Sequence, residues 1–217
     1  HVGYPLDAGA VLLIEVEGLV EATEEDAARV RAVCESAGAR EIREATDPAD
    51  REKLWAGRKG AISALGQLAP NYYILDGVVP RTRLPETMQG VIRVSEEFGF
   101  AIANVFHAGD GNLHPCILFD ERRSGETSRV LDAGEAIMRL CVDAGGSVTG
   151  EHGIGLEKRD FMPWIFSDAD IQAMSKLKAA FGAGERFNPC KAFPTSKGCG
   201  EVHSKAAMAA LGPDAYV

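Results

Sequence analysis

The run Phe100-Ala101-Ile102-Ala103-Asn104-Val105-Phe106-His107-Ala108-Gly109-Asp110-Gly111-Asn112-Leu113-His114-Pro115-Cys116-Ile117-Leu118-Phe119 decides how this chain is read. Two apolar segments, 100–106 and 113–119, flank Asp110-Gly111, the dipeptide favoured in a two-residue type I′ turn, and so predict an antiparallel hairpin. Counting back from the turn, Gly109 faces Asn112, Ala108 faces Leu113 and His107 faces His114. Opposed residues share a face of the sheet with Cβ atoms ~5 Å apart, which lets two ring nitrogens hold one ion. A plain hairpin with polar residues at its strand ends satisfies the same spacing, and both readings stand at this point.

A third ligand is available in Glu151, from the run Glu151-His152-Gly153-Ile154-Gly155. It follows an apolar strand expected around Ser147 to Thr149. Two imidazoles and one carboxylate leave coordination positions for a substrate's hydroxyl and carboxylate, as catalytic metal sites require. His152, next to that ligand, is then placed to act as a base.

Outward from the hairpin, strand and helix patterns alternate. Ala10 to Val16 reads as a strand ended by Gly18, and Thr23 as the N-cap of a helix that runs to Gly38. A short strand is expected at Arg40 to Arg43, then a helix with Pro48 near its start that continues through Leu65. Tyr72 to Val79 reads as one strand ended by Pro80, and Pro85 to Phe98 as a helix with Gly99 at its C-cap. A long helix follows the hairpin from about Gly125 to Ala144. Another spans Ala169 to Phe181, and a last short one lies near Ser204 to Leu211. The pattern predicts an α+β fold: a ferredoxin-like antiparallel sheet with helices on one face, plus a small C-terminal helical segment. The domain division expected is 1–160 for the α+β part and 161–217 for the helical segment.

The bulk numbers exclude several classes. A formal charge of −9 over 217 residues, with no basic cluster, argues against a nucleic-acid partner. No apolar run approaches the ~20 residues that cross a bilayer and no signal peptide is legible, so the expectation is a cytoplasmic, soluble chain. Five cysteines without disulfide-framework spacing fit a reducing compartment. Cys190, Cys199 and His203 match no usual zinc spacing.

At the quoted residues the chain resembles the C-terminal domain of the FAD-linked oxidase family of 2-hydroxy acid dehydrogenases, those related to vanillyl-alcohol oxidase. The motifs that carry the resemblance are His107 to His114, Glu151 to Gly155, Trp55-Ala56-Gly57-Arg58, Tyr72 to Gly77 leading to Pro80-Arg81, and Phe187-Asn188-Pro189 followed by Lys191. They run in the family's order across most of the chain. The resemblance implies a flavin enzyme in which His107, His114 and Glu151 hold a divalent metal, often zinc. It implies that Arg58 pairs with the substrate carboxylate, that His152 takes the hydroxyl proton, and that Asn112, Asn188 and Lys191 contact the FAD.

Two departures bear on substrate. Members acting on D-2-hydroxyglutarate look to carry Lys where Ile74 stands and Asn where Cys116 stands, which points here to a small acid such as glycolate or D-lactate. A third departure is Cys190, where the family's Asn-Pro-Gly-Lys has Gly.

The family's FAD-binding domain lies N-terminal to this one, and nothing before Ala10 corresponds to it. The expectation is therefore a domain that is inactive alone, with 161–217 completing the flavin site. The partners implied are the FAD-binding domain and an iron-sulfur electron-transfer subunit, with the full complex peripheral to the inner face of a membrane. Self-association through the uncovered His107 and Glu151 face is also expected. The competing functions are a non-catalytic module that binds metal or a small acid, and a zinc hydrolase.

Overall fold

The computed structural model describes residues 3–181, 187–188 and 190–194. The helix expected near Ser204 to Leu211 lies outside them. The chain forms two compact units that meet in sequence at Ala64 and Leu65.

The first unit holds α1 (Val20–Ser36) and α2 (Pro48–Ala64). Asp47 caps α2 by accepting from the amides of Ala49 and Asp50 at 2.8 and 2.9 Å, with Pro48 at the position where its missing N–H costs nothing. Helix α1 starts earlier than Thr23, with Leu19 as its N-cap. The Thr23 hydroxyl instead donates back to the Val20 carbonyl at 2.8 Å, the local bond that Thr makes inside a helix.

The strands expected at 10–16 and 40–43 do not form. A strand is stabilised by a ladder partner, and here the side chains of those segments bond elsewhere. Glu15 accepts from Arg51 and from Trp55 Nε1 on α2, while Arg40 pairs with Asp7 and Arg43 donates to the Gly3 carbonyl.

The second unit carries β1 (Asn71–Ile74), β2 (Gly77–Val78), α3 (Leu84–Phe98), β3 (Ile102–Asn104), β4 (Asn112–Leu113), β5 (Pro115–Phe119), α4 (Glu126–Asp143) and α5 (Asp168–Phe181), with a 3-10 turn at Arg159–Trp164 before α5. The main sheet is antiparallel in the order β1-β5-β3, and β2 pairs with β4 in a two-stranded ribbon. The single strand expected over Tyr72 to Val79 is thus two. Its partner is interrupted at His114, where Pro115 supplies no N–H to the ladder. The strand expected at Ser147 to Thr149 shrinks to one bridge, Ser147 to Val78.

Tyr73, Ile117 and Ile102 are direct cross-strand neighbours and share one face. That face packs with Val91 and Val94 of α3 and with Val130, Ala133, Ile137 and Met138 of α4. Gly90 lets the two helices close, since a Cβ there would sit 2.7 Å from Leu140. Gly99, at φ 71°, ends α3 in the left-handed conformation that only glycine adopts without cost.

The hairpin keeps its expected sense but not its register. His107 lies opposite Asn112, and residues 108–111 form a four-residue loop in place of the two-residue turn. Gly111, at φ 73°, is required there: a Cβ would meet the Val79 carbonyl at 2.1 Å.

Candidate functional site

His114 stands at the break between β4 and β5, 4% exposed, and its ring is held from behind. Nδ1 lies 3.2 Å from the Leu75 carbonyl, which can only accept, so Nδ1 carries the hydrogen. Nε2 then points outward, 3.0 Å from Glu151 Oε1. An imidazole nitrogen and a carboxylate oxygen at that distance share a proton or a cation.

The other two imidazoles flank this pair. The His107 ring meets the His114 ring edge-on at a centroid distance of 5.5 Å, and the His152 ring stacks on it at 5.1 Å. His152 Nε2 is 3.7 Å from the same Glu151 oxygen. Ligand atoms of His107, His114 and Glu151 all fall within 4.8 Å of one another, a spread that one divalent ion can gather. His107 and His114 are diagonal neighbours across the loop, not directly opposed, yet still reach one face.

Glu151 and His152 are placed by a residue of the Tyr72 to Gly77 motif to which the sequence reading gave no role. Asp76, with 0% exposure, accepts hydrogen bonds from the amides of Gly150, Glu151 and His152 at 3.0, 3.1 and 3.0 Å. It also accepts from the Thr149 hydroxyl at 2.8 Å and from Lys158 Nζ at 2.9 Å. Burial alone would raise its pKa; Lys158, Thr149 and the amides outweigh that and hold the carboxyl well below its usual range. The available signal was an acid in an otherwise apolar run, Tyr72 to Val79, which demands a partner when buried.

Comparison with known proteins decides what such an arrangement belongs to. Residues 1–192 match the family described as FAD linked oxidases, C-terminal domain. The chain belongs to that family. It is 46% identical to "Glycolate oxidase subunit GlcD" of Escherichia coli (strain K12), over 93% of this chain and 40% of that protein. It is 35% identical to the protein of the same name in Bacillus subtilis (strain 168), over 88% of this chain and 41% of the relative. A "D-lactate dehydrogenase" of Archaeoglobus fulgidus is 30% identical over 84% of the chain and 39% of the relative. The chain thus spans about 40% of the length of the curated relatives it matches.

The remaining candidates for this FAD-linked oxidase domain are distributed as follows. Asn112 is 5% exposed, and its Oδ1 has no hydrogen-bond partner among the described residues. That oxygen lies against the Gly150 backbone, where a Cβ would come within 2.4 Å of it. Asn188 and Lys191 offer their carbonyls to Lys178 Nζ at 2.9 and 2.8 Å, and Ala192 donates its amide to the Gly155 carbonyl at 2.7 Å. Lys191 thereby joins His152, Gly155 and Lys158 around a cavity of about 310 Å³.

Cys190 takes the glycine position of the family motif in the left-handed region, φ 62°. The reduced thiols expected from composition are Cys34, Cys116 and Cys141, whereas Cys190 is disulfide-bonded. Arg58 lies on α2 in the first unit, partly buried. Among the described residues, no helix is long and apolar enough to cross a membrane.

Proposed function

We propose that this chain is the substrate- and metal-binding part of a flavin-dependent dehydrogenase that oxidises a small 2-hydroxy acid, glycolate or D-lactate, to the 2-oxo acid. The observation that carries the reading is His114 Nε2 facing Glu151 Oε1 at 3.0 Å with His107 and His152 around it, a donor set that fits a divalent cation such as zinc. When bound, that cation supplies a Lewis acid for the substrate hydroxyl, and FAD supplies the acceptor for the hydride from C2.

His107, His114 and Glu151 are the residues that would hold the cation, and the cation would take the hydroxyl end of the substrate. His152, whose side chain is 46% exposed, receives the hydroxyl proton on its imidazole. Arg58 binds the substrate carboxylate as a two-pronged donor, a role supported by the Trp55 to Arg58 motif. Asn112, Asn188 and Lys191 contact the flavin: the orphan Asn112 oxygen supports an acceptor role, and Lys191 supplies positive charge beside His152.

Substrate size is supported by Ile74 and Cys116, which are direct cross-strand partners. Burial raises the Cys116 pKa, so this pair offers no charge to a second carboxylate. For the architecture, the finer reading is ferredoxin-like. The order β1-α3-β3-β5-α4, the sheet order β1-β5-β3 and the Ser147 bridge after α4 support it. We place the complete enzyme with an FAD-binding domain and an iron-sulfur acceptor subunit, peripheral to the inner membrane face, and the isolated chain in a self-associating state.

The test joins the chain to its flavin-binding partner in the full-length protein and adds glycolate or D-lactate with an artificial electron acceptor. The flavin should bleach. An unbleached flavin with both acids removes the reading, and unchanged metal content in His107→Ala removes the ligand assignment.

A further inference from the structure

The carboxylate of Asp76 forms a second acid-and-imidazole group with His114 and His152 and so competes with Glu151 as a ligand. Its bonding argues against that role. Its two oxygens already accept from Lys158 Nζ, the Thr149 hydroxyl and three successive amides, Gly150, Glu151 and His152. Four of these bonds fall on Oδ2, which they saturate, while Oδ1 accepts from the Glu151 amide, so the carboxylate is committed to the loop and its charge to Lys158. Lys158 is itself 3% exposed and spends a second bond, 2.9 Å, on the Asp76 carbonyl.

We propose that Asp76 and Lys158 are a positioning pair that aims Glu151 and His152 at His114 without touching the metal or the substrate. Leu75-Asp76 is then the common reference for the whole cluster. The Leu75 carbonyl fixes the ring of His114, and the next residue's carboxylate gathers the loop that carries the other two side chains. Lys158 cancels the buried charge of Asp76, which leaves Glu151 as the anionic group facing the imidazoles. Thr149 closes the loop a second time, donating to Asp76 while its oxygen accepts from the Gly153 amide at 2.9 Å. The functional consequence rests on the metal-site reading above; the anchoring itself does not.

The experiment therefore reads both separately in the full chain. In Asp76→Asn, hydrogen exchange at the amides of residues 150–152 should accelerate at least roughly tenfold while α4 amides keep their protection. Zinc affinity should fall about 10–100-fold, the range for loss of an outer-shell partner. The visible spectrum of the cobalt-loaded variant should keep its wild-type shape at saturation, because the ligands are unchanged.

Unchanged loop exchange overturns the anchor, and an altered cobalt spectrum makes Asp76 a ligand and overturns the proposal too. A wild-type chain that takes up neither zinc nor cobalt would overturn the metal reading, while the exchange result still decides the anchor. Should Asp76→Asn not fold, Thr149→Val replaces it. Exchange at 150–152 should rise and Thr149→Ser should restore it; equal protection in the Val variant and wild type overturns the proposal.

Discussion

From Gly3 to Ala64 no described residue is buried, whereas the unit that begins at Leu65 encloses Leu75, Ile117, Ile137 and Met138 at 1% exposure or less. The first unit connects its extended segments to its helices with polar bonds: Tyr4 to the Leu54 carbonyl at 2.7 Å, Arg40 to Asp7, Arg51 and Trp55 to Glu15. Leu6, Leu12, Leu19 and Val33 meanwhile stay 65% exposed or more. The second unit excludes water from a sheet and two helices, and places its histidines on that frame. Apolar burial is the term that offsets chain entropy, so the second unit can hold its side chains to a fixed geometry. Exposed large apolar side chains occur in both units, Leu6 and Leu19 in the first and Leu68, Phe181 and Phe187 in the second among them.

Urea denaturation gives the largest expected contrast. Ile137→Ala should cost about 2–5 kcal/mol, as core truncations do. Val33→Ala, at a side chain 65% exposed, should stay within about 0.5 kcal/mol. Equal losses would erase the distinction between the units.

Alanine at two glycines sharpens it. Gly150→Ala drives a Cβ into Asn112 Oδ1 and Val78 and should cost about 1–3 kcal/mol. Gly60→Ala, in mid-helix with nothing within 4 Å, should stabilise by about 0.5–1 kcal/mol.

Thiol chemistry reads the same contrast. Cys141 is fully buried, and desolvation pushes its pKa up to about 12. At pH 8 a thiol reagent should label Cys34 of α1 roughly a hundred times faster than Cys141. Because the folded pKa of Cys141 lies above the unfolded value of about 8.5, its contribution to stability is complete below that pH. It declines as pH rises toward 12, so a urea midpoint that climbed across this window would contradict the assignment.

The smallest effect is ionic. In 1 M salt the exposed pairs of the first unit should weaken by screening, increasing protease cutting between residues 3 and 47. Cutting in α3 and α4 should not change.

Helices α3, α4 and α5 and the cap at Gly99 were legible because periodicity and capping are local. The absent strands at 10–16 and 40–43 were not, because strand formation is settled by a partner that the segment itself does not encode. The hairpin shows how a wrong step can leave a right neighbour. His107 faces Asn112 in place of His114, a slip of two positions, and side chains alternate with a period of two. The two imidazoles therefore stayed on one face. Asp76 was missed because its role is visible only once residues 149–152 and 158 fold back onto it, a long-range event with no spacing signature.

Suppose every position were varied and two quantities scored, how much protein accumulates and how fast each molecule turns over. Variation from Gly3 to Ala64 should leave accumulation nearly flat, because no described residue there is buried. At Leu75-Asp76 both scores should drop together, since that dipeptide serves the interior and the histidines at once.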